Sequence, residues 1–164
     1  MPLFYSGKIT VSKRNLQIAV IGGRKESNEV LIIAEQVGEL IAKNEWELIC
    51  GGMHGVMRSA CLGASNVGGM TIGVLPGQTR GAANHYVHAV VATGMGVARN
   101  SIIAHSADAA IAVGGSYGTL SEIAYFLQLG KPVFLLKCKW QIEGAVPVDE
   151  PEEAIAKIQS IFIR

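Results

Sequence analysis

Residues 108–132 constrain the fold more than any other stretch of this chain. The run 109–113 is apolar without polar alternation, which is typical of a strand buried on both faces of a parallel sheet. It ends at a pair of glycines, and a helical pattern follows until Gly130 and Pro132 stop it. A strand, a glycine loop and a helix in this order predict one unit of a parallel α/β sheet.

The loop in this unit has the composition of an anion site. Three glycines in five positions destabilise a plain connection, because glycine loses more backbone freedom on folding than other residues. The following helix offers unpaired N–H groups and the positive end of its dipole to an anion. We therefore predict a phosphate cradle, which comprises Gly114, Gly115, Ser116, Tyr117, Gly118 and Thr119.

Thr119 and Glu122 have a second interpretation. Their spacing fits a capping box, in which the Thr side chain accepts from the N3 amide and the Glu side chain binds the cap amide. A helix cap explains both residues without any ligand. The sequence leaves open whether Glu122 caps the helix or acts in the site.

The remaining pattern repeats strands and helices with short connections. Apolar runs predict strands at 16–21, 46–50, 70–75, 87–92 and 133–136. Helices are predicted at 27–43, 56–66, from Arg99 to near His105, and after Asp149, the last with Ile155, Ile158, Ile161 and Phe162 on its inner face. This alternation predicts an α/β fold, a doubly wound parallel sheet in a single domain, with an N-terminal extension at 1–14.

Two further glycine segments follow strands, so they lie at the same edge of the predicted sheet as the central loop. Ligands of open parallel sheets bind at that edge, outside the carboxyl ends of the strands. The convergence predicts a phosphate-bearing ligand of nucleotide size, which also contacts Gly22, Gly23, Gly51, Gly52 and Gly55. The polar segment 78–86 is a candidate lid whose role stays open.

Two common nucleotide chemistries do not fit the motifs. The dinucleotide pattern Gly-x-Gly-x-x-Gly is absent after the first strand, and the second strand ends without an acidic residue for a ribose. The central loop has no Lys for β and γ phosphates. NAD enzymes and P-loop NTPases are therefore disfavoured.

Composition bears on the partners of the chain. Charged residues make up only 16%, against about 25% in average soluble domains. We therefore expect a homo-oligomer, a dimer or a dimer of dimers, that covers part of the apolar surface. A net charge of +1 gives no basic field, which argues against nucleic acid as a general partner.

The cysteines and histidines form no metal-ligand pattern, so no metal and no required cofactor are expected. The thiols of Cys50, Cys61 and Cys138 are predicted to be buried and reduced. No apolar run reaches membrane-spanning length, and residues 1–14 lack a signal-peptide core. We expect a cytoplasmic protein without a membrane partner.

Three blocks of the sequence resemble a known family. They read CGGMHGVMRSACLGASNVGGMTIGVLP, GMGVARNSII and SADAAIAVGGSYGTLSEIAYFLQLGKPV. They are similar to the Rossmann-like superfamily of cytokinin-riboside monophosphate phosphoribohydrolases and molybdenum cofactor carrier proteins, once called lysine decarboxylase-like. The resemblance covers most of residues 16–137. It implies a Rossmann-like fold that binds a nucleotide or a molybdopterin-type cofactor.

The same motifs distinguish two branches of this superfamily. In the hydrolases the loop reads Pro-Gly-Gly-x-Gly-Thr-x-x-Glu after an Arg-Lys pair, and the Arg and Glu are the residues tied to cleavage. Arg99 and Glu122 match these two positions, so the resemblance implies that they are catalytic if the chain is an enzyme. Val113 replaces the Pro and Asn100 the Lys, which is closer to the carrier branch. Met95 and Asn100 belong to the second motif and are assigned to ligand binding.

The sequence is compatible with three functions. The first is a binding or carrier protein for a phosphate-bearing ligand, either molybdenum cofactor or a nucleotide. The second is a nucleoside 5′-monophosphate phosphoribohydrolase, in which the Glu122 carboxylate supports an oxocarbenium-like transition state. The third arises because ARNSIIAHSADAAIAV also resembles the Rossmann domain of the DNA-processing protein A family, which binds single-stranded DNA.

Overall fold

The computed structural model describes residues 14–162, so the predicted N-terminal extension lies outside the described residues except for Arg14. The strands are β1 Gln17–Gly22, β2 Glu47–Cys50, β3 Thr71–Leu75, β4 Ala89–Ala92, β5 Ala109–Val113, β6 Val133–Leu136 and β7 Val146–Val148. The α-helices are α1 Asn28–Lys43, α2 Val56–Asn66, α3 Arg99–Ser106, α4 Tyr117–Gln128 and α5 Pro151–Phe162.

The strands form one seven-stranded sheet in the order β4-β3-β2-β1-β5-β6-β7. Every neighbouring pair is parallel. The strand order reverses between β1 and β5, where Gly22 lies opposite Val113. This switch point leaves a crevice at the carboxyl ends of the two strands. The prediction of a Rossmann-like doubly wound sheet is confirmed.

Buried side chains pack on both faces of the sheet. One cluster joins alternate strand residues to α1, α2 and α5, and the other joins the intervening strand residues to α3 and α4. All five residues of β5 are buried, as its unbroken apolar run predicts. The helices therefore cover both faces, and the ligand edge of the sheet is left to the loops.

Helices α1 and α2 cross at two glycines. A Cβ added at Gly38 would lie 1.9 Å from the carbonyl oxygen of Ala60, and one added at Gly63 would lie 1.9 Å from that of Glu35. Any side chain at these positions would push the helices apart. Helix α2 starts directly after Gly55, and α1 starts after the connection that follows Gly22-Gly23, so this contact joins the two helices that begin on the side of the glycine loops.

Two expectations about helices are wrong, and one strand was not predicted. Helix α4 begins at Tyr117 with Ser116 as its N-cap, so Thr119 lies within the first turn and the capping box with Glu122 does not form. Ile161, expected on the inner face of α5, is about half exposed. The short strand β7 was not anticipated, because its three residues include a proline and show no clear alternation.

An apolar surface remains exposed around the edge strand β4. Val91, Met95 and Val97 expose 48%, 49% and 75% of their surface in the isolated chain. The outer edge of β4 also has free backbone groups in the part of the chain that is described. An exposed edge strand beside apolar side chains is a surface on which another chain can pack.

We therefore predict a homo-oligomer built on this surface. Val97→Lys should lower the mass measured by light scattering at micromolar concentration, because it places a charge in an apolar contact. Val67→Lys is a matched control, since Val67 is also exposed but lies at the end of α2. A monomeric wild type would contradict the prediction.

Cys50 and Cys61 are buried free thiols, whereas Cys138 is only partly buried. The sulfur atoms of Cys50 and Cys61 lie 3.5 Å apart. Among the described helices, none has both the length and the apolar character that a membrane span requires.

Candidate functional site

A cavity of about 590 Å³ opens at the switch point between β1 and β5. Of the residues assigned to the site from the sequence, those that line it are Gly22, Gly23, Arg99, Asn100, Gly115, Ser116, Gly118, Thr119 and Glu122. The remaining assigned residues are not among its lining: Gly51, Gly52, Gly55, Met95, Gly114 and Tyr117. Most of the predicted constellation therefore comes together in one place.

The central glycine loop brings the start of α4 to the cavity. Gly114 and Gly115 have φ angles of +59° and +110°, which favour glycine strongly. A Cβ at Gly115 would lie 2.5 Å from the hydroxyl oxygen of Thr119. Any side chain at position 115 would therefore displace the Thr119 side chain. No side chain in residues 14–162 caps the first amides of α4, which leaves them free for an anion.

Arg99 is buried at the start of α3 and holds two strand ends together. Its Nη1 donates to the carbonyl oxygen of Gly51 at 2.7 Å and also to that of Val74. A Cβ at Gly51 would lie 2.8 Å from both Nη atoms, so this glycine provides space for the guanidinium. Gly51 therefore contributes to the site through Arg99.

Asn100 orients this arginine. Its Oδ1 accepts a hydrogen bond from Nε of Arg99 at 2.8 Å, and its Nδ2 donates to the hydroxyl of Ser121 at 3.3 Å. The residue that departs from the hydrolase motif thus fixes the guanidinium to α4. A lysine here would have no acceptor for Nε.

Glu122 faces the cavity from α4 and is 8% exposed. Burial raises the pKa of this carboxyl to about 7, although the nearby positive charge of Arg99 opposes the shift. Burial in turn lowers the pKa of Arg99, and Glu122 opposes that shift. A carboxyl with this pKa is a proton donor below neutral pH and an anion above it.

The second glycine loop supports the first. Gly55 has a φ of +67°, and a Cβ there would lie 2.3 Å from the carbonyl oxygen of Gly23. That oxygen accepts from the amide of Val56 at 3.0 Å, which occupies the start of α2. Gly52 likewise packs on the backbone of Gly73. These glycines hold the loops close together.

Three charged residues of the lining were missed from the sequence, Arg24, Lys25 and Glu26. They form the connection between β1 and α1, directly after Gly22-Gly23. The amide of Gly115 donates to Oε1 of Glu26 at 2.7 Å across the switch point. Their position after a glycine pair at the carboxyl end of a strand was the available signal.

The candidate lid 78–86 is tied to the second glycine loop and contributes no residue to the cavity lining. The amide of Asn84 donates to the carbonyl of Gly52, and its Nδ2 donates to that of Met53, both at 2.9 Å. Among residues 14–162, no three His, Cys, Asp or Glu side chains are grouped to hold a metal ion.

Solved structures of two proteins share this fold over almost their whole length. The molybdenum cofactor binding protein from Rippkaea orientalis is 37% identical with a TM-score of 0.87, and the match covers 92% of this chain and 99% of that one. The molybdenum cofactor carrier protein from Chlamydomonas reinhardtii is 32% identical with a TM-score of 0.82, and the match covers 92% of this chain and 100% of that one.

More distant structures share only the fold. DNA processing protein A from Streptococcus pneumoniae is 22% identical with a TM-score of 0.73, over 87% of this chain and 62% of that one. At this identity the likeness gives no support to a common function.

Comparison of sequences identifies two relatives and a family. An uncharacterized protein of Archaeoglobus fulgidus is 46% identical over 85% of this chain and 92% of its own length. A cytokinin riboside 5′-monophosphate phosphoribohydrolase of Mycobacterium tuberculosis is 35% identical to this chain. The matched segment covers 58% of this chain and 52% of that relative, so the chain spans only about half of its length. A family model matches residues 15–161, and the chain therefore belongs to the SLOG cluster4 family.

Proposed function

We propose that this chain binds a phosphate-bearing ligand in the switch-point cavity and carries it without cleaving it. The observation behind the proposal is the uncapped start of α4, which opens on a cavity lined by the buried side chains of Arg99 and Glu122. Free helix amides bind phosphate oxygens, and a guanidinium adds positive charge. The similarity to proteins that bind or carry molybdenum cofactor supports that cofactor as the ligand.

The hydrogen bonds of Arg99 hold its guanidinium in place at the cavity wall. Its Nε and Nη1 already donate to Asn100, Gly51 and Val74, so only part of the guanidinium remains for a ligand. A fixed cation of this kind binds a phosphate well.

The raised pKa of Glu122 is compatible with a phosphate bound nearby. An oxocarbenium-like transition state needs a carboxylate anion beside it. Because burial raises its pKa to about 7, the Glu122 carboxyl is only partly ionised at neutral pH. A neutral carboxyl instead tolerates a nearby phosphate and can donate a hydrogen bond to it.

Phosphoribohydrolase activity is the second candidate, because Arg99 and Glu122 both line the cavity. These are the two residues that the hydrolase motif ties to cleavage. Release of free base from AMP would support this function if Glu122→Gln and Arg99→Ala both abolished it. No release by a wild type that binds AMP would exclude AMP hydrolysis.

Binding itself is tested with Thr119→Val, which replaces a buried hydroxyl of the cradle by a methyl group of similar size. We expect the affinity for AMP, measured by calorimetry, to fall about 10-fold or more, because a hydrogen bond to a charged phosphate is lost. Mass spectrometry of the native protein, applied in parallel, identifies any phosphate-bearing ligand that stays bound through purification.

Thr79→Val is the matched control, since Thr79 is exposed and its side chain makes no cap hydrogen bond. Its affinity should equal that of the wild type. An equal affinity of Thr119→Val and wild type would contradict binding at the start of α4.

A further inference from the structure

The side chain of Glu26 lies inside the glycine cradle. Its Oε1 accepts the hydrogen bond from the amide of Gly115 at 2.7 Å. A Cβ added at Gly114 would lie 3.0 Å from both carboxylate oxygens, and one added at Gly23 would lie 2.2 Å from Oε1. The carboxylate therefore fills the space between the first glycine loop and the central one.

This carboxylate has no cationic partner in the part of the chain that is described. The ion pairs found in residues 14–162 involve Glu39, Glu29 and Glu153, and none of them includes Glu26. Its one hydrogen-bond donor there is the Gly115 amide. The cradle thus holds an anion that belongs to the protein itself.

A phosphate group bound in the cradle would compete with this carboxylate for the amide of Gly115. Two anions at contact distance repel each other strongly in a partly buried site. Glu26 belongs to the connection between β1 and α1, which has no regular structure and can reorient more easily than a helix or strand. The carboxylate can therefore leave the cradle while the sheet stays in place.

We propose that Glu26 is an internal competitor, which occupies the cradle in the free protein and is displaced when a phosphate group binds. The proposal rests on the proposed phosphate site and assigns that site a selectivity. A phosphate monoester with two negative charges and several acceptor oxygens can replace the carboxylate. A ligand with a single carboxylate has the same charge and the same number of acceptor oxygens as the Glu26 side chain. It gains nothing by displacing that side chain, so it does not bind.

Removal of the Glu26 charge should strengthen phosphate binding. The experiment titrates inorganic phosphate into ¹⁵N-labelled protein and follows the amide signal of Gly115. Glu26→Gln keeps an oxygen for the Gly115 amide but removes the charge, whereas Glu26→Ala removes both. We expect each variant to bind phosphate about 10-fold more tightly than the wild type, because a nearby like charge is lost.

Glu29→Gln is the matched control. Glu29 lies three residues further on, in the first turn of α1, and pairs with Lys137 at 3.5 Å. Its removal changes the net charge equally but leaves the cradle unaltered. We expect its affinity to stay within about 2-fold of the wild type, because an exposed charge is screened by solvent and salt.

Other outcomes separate this inference from the proposed function. If the Gly115 signal shifts with equal or weaker affinity in Glu26→Gln, the phosphate site stands and the displacement of Glu26 is wrong. If Glu29→Gln gains as much affinity as Glu26→Gln, the effect is one of net charge and the inference is also wrong. If the Gly115 signal shifts in none of the four proteins, the phosphate site and the role of Glu26 fail together.

Acetate provides a direct test of selectivity. At the same concentrations as phosphate, it should leave the Gly115 signal of the wild type unchanged. It should bind Glu26→Ala, in which the acetate group can replace the missing side chain. Equal binding of acetate to wild type and Glu26→Ala would overturn the selectivity.

Discussion

The protein should lose roughly 2–3 kcal/mol of stability between about pH 5 and pH 8 through Glu122 alone. The pKa of this carboxyl is about 7 in the folded protein, against 4.5 for an ordinary glutamate. In the intervening pH range the folded state holds a proton that the unfolded state has released. Stability therefore declines as the pH rises towards 7, and the decline ends above it.

Glu122→Gln should abolish this part of the decline, because glutamine is neutral at every pH. The measurement is the free energy of unfolding by denaturant at several pH values for both proteins. Glu29→Gln is the control and should keep the wild-type slope, since Glu29 is exposed. Parallel curves for wild type and Glu122→Gln would show that the carboxyl does not titrate in this range.

The same titration has a consequence for the proposed ligand. Below its pKa, Glu122 is neutral and does not repel a phosphate in the cavity. Above its pKa, the carboxylate lies beside Arg99 and reduces the positive charge that the ligand meets. Because the phosphate itself also titrates in this range, the test is the ratio of the two affinities: the phosphate affinity of the wild type should fall relative to that of Glu122→Gln as the pH rises through 7.

Gly38→Ala should lower the free energy of unfolding by about 2 kcal/mol or more, although alanine is the better helix former. The added Cβ would lie 1.9 Å from the carbonyl oxygen of Ala60, which belongs to the backbone of α2 and cannot rotate away. The helices must separate to accept it. Gly63→Ala should behave alike, since its Cβ would lie 1.9 Å from the carbonyl of Glu35.

Gly118→Ala is the matched control, because Gly118 is also a helical glycine but a Cβ there meets nothing within 4 Å. It should stabilise the protein by up to about 1 kcal/mol through helix propensity. Chemical denaturation of the three variants measures these differences. A stability of Gly38→Ala equal to that of Gly118→Ala would show that α1 and α2 do not pack closely.

The boundaries of α4 show the limit of short-range sequence reasoning. Thr119 and Glu122 have the spacing of a capping box, yet the helix begins two residues before Thr119. The spacing is compatible with a helix that begins at Tyr117 and with one that begins after Thr119. A local pattern cannot decide between them, because it does not contain the position of β5, the strand before the helix. Packing of the helix on β5 and β1 decides where its first turn lies.

Glu26 is a second example. Its sequence neighbours are charged and polar, which is typical of a solvated loop. The residue is 89 positions from Gly115, and only the pairing of β1 with β5 brings them to hydrogen-bond distance. The local pattern indicates that Glu26 lies at the ligand edge of the sheet, but it does not contain the contact with Gly115.

The sequence by itself determined the alternation of strands and helices, the position of the glycine loops and the Arg99 and Glu122 motif positions. Each of these depends on residues that are close along the chain, so apolar periodicity and glycine placement are enough. Tertiary structure alone decided which loops meet, because strand order is set by packing across the whole sheet. It also decided the burial of Glu122, and with it the proton that this carboxyl holds near neutral pH.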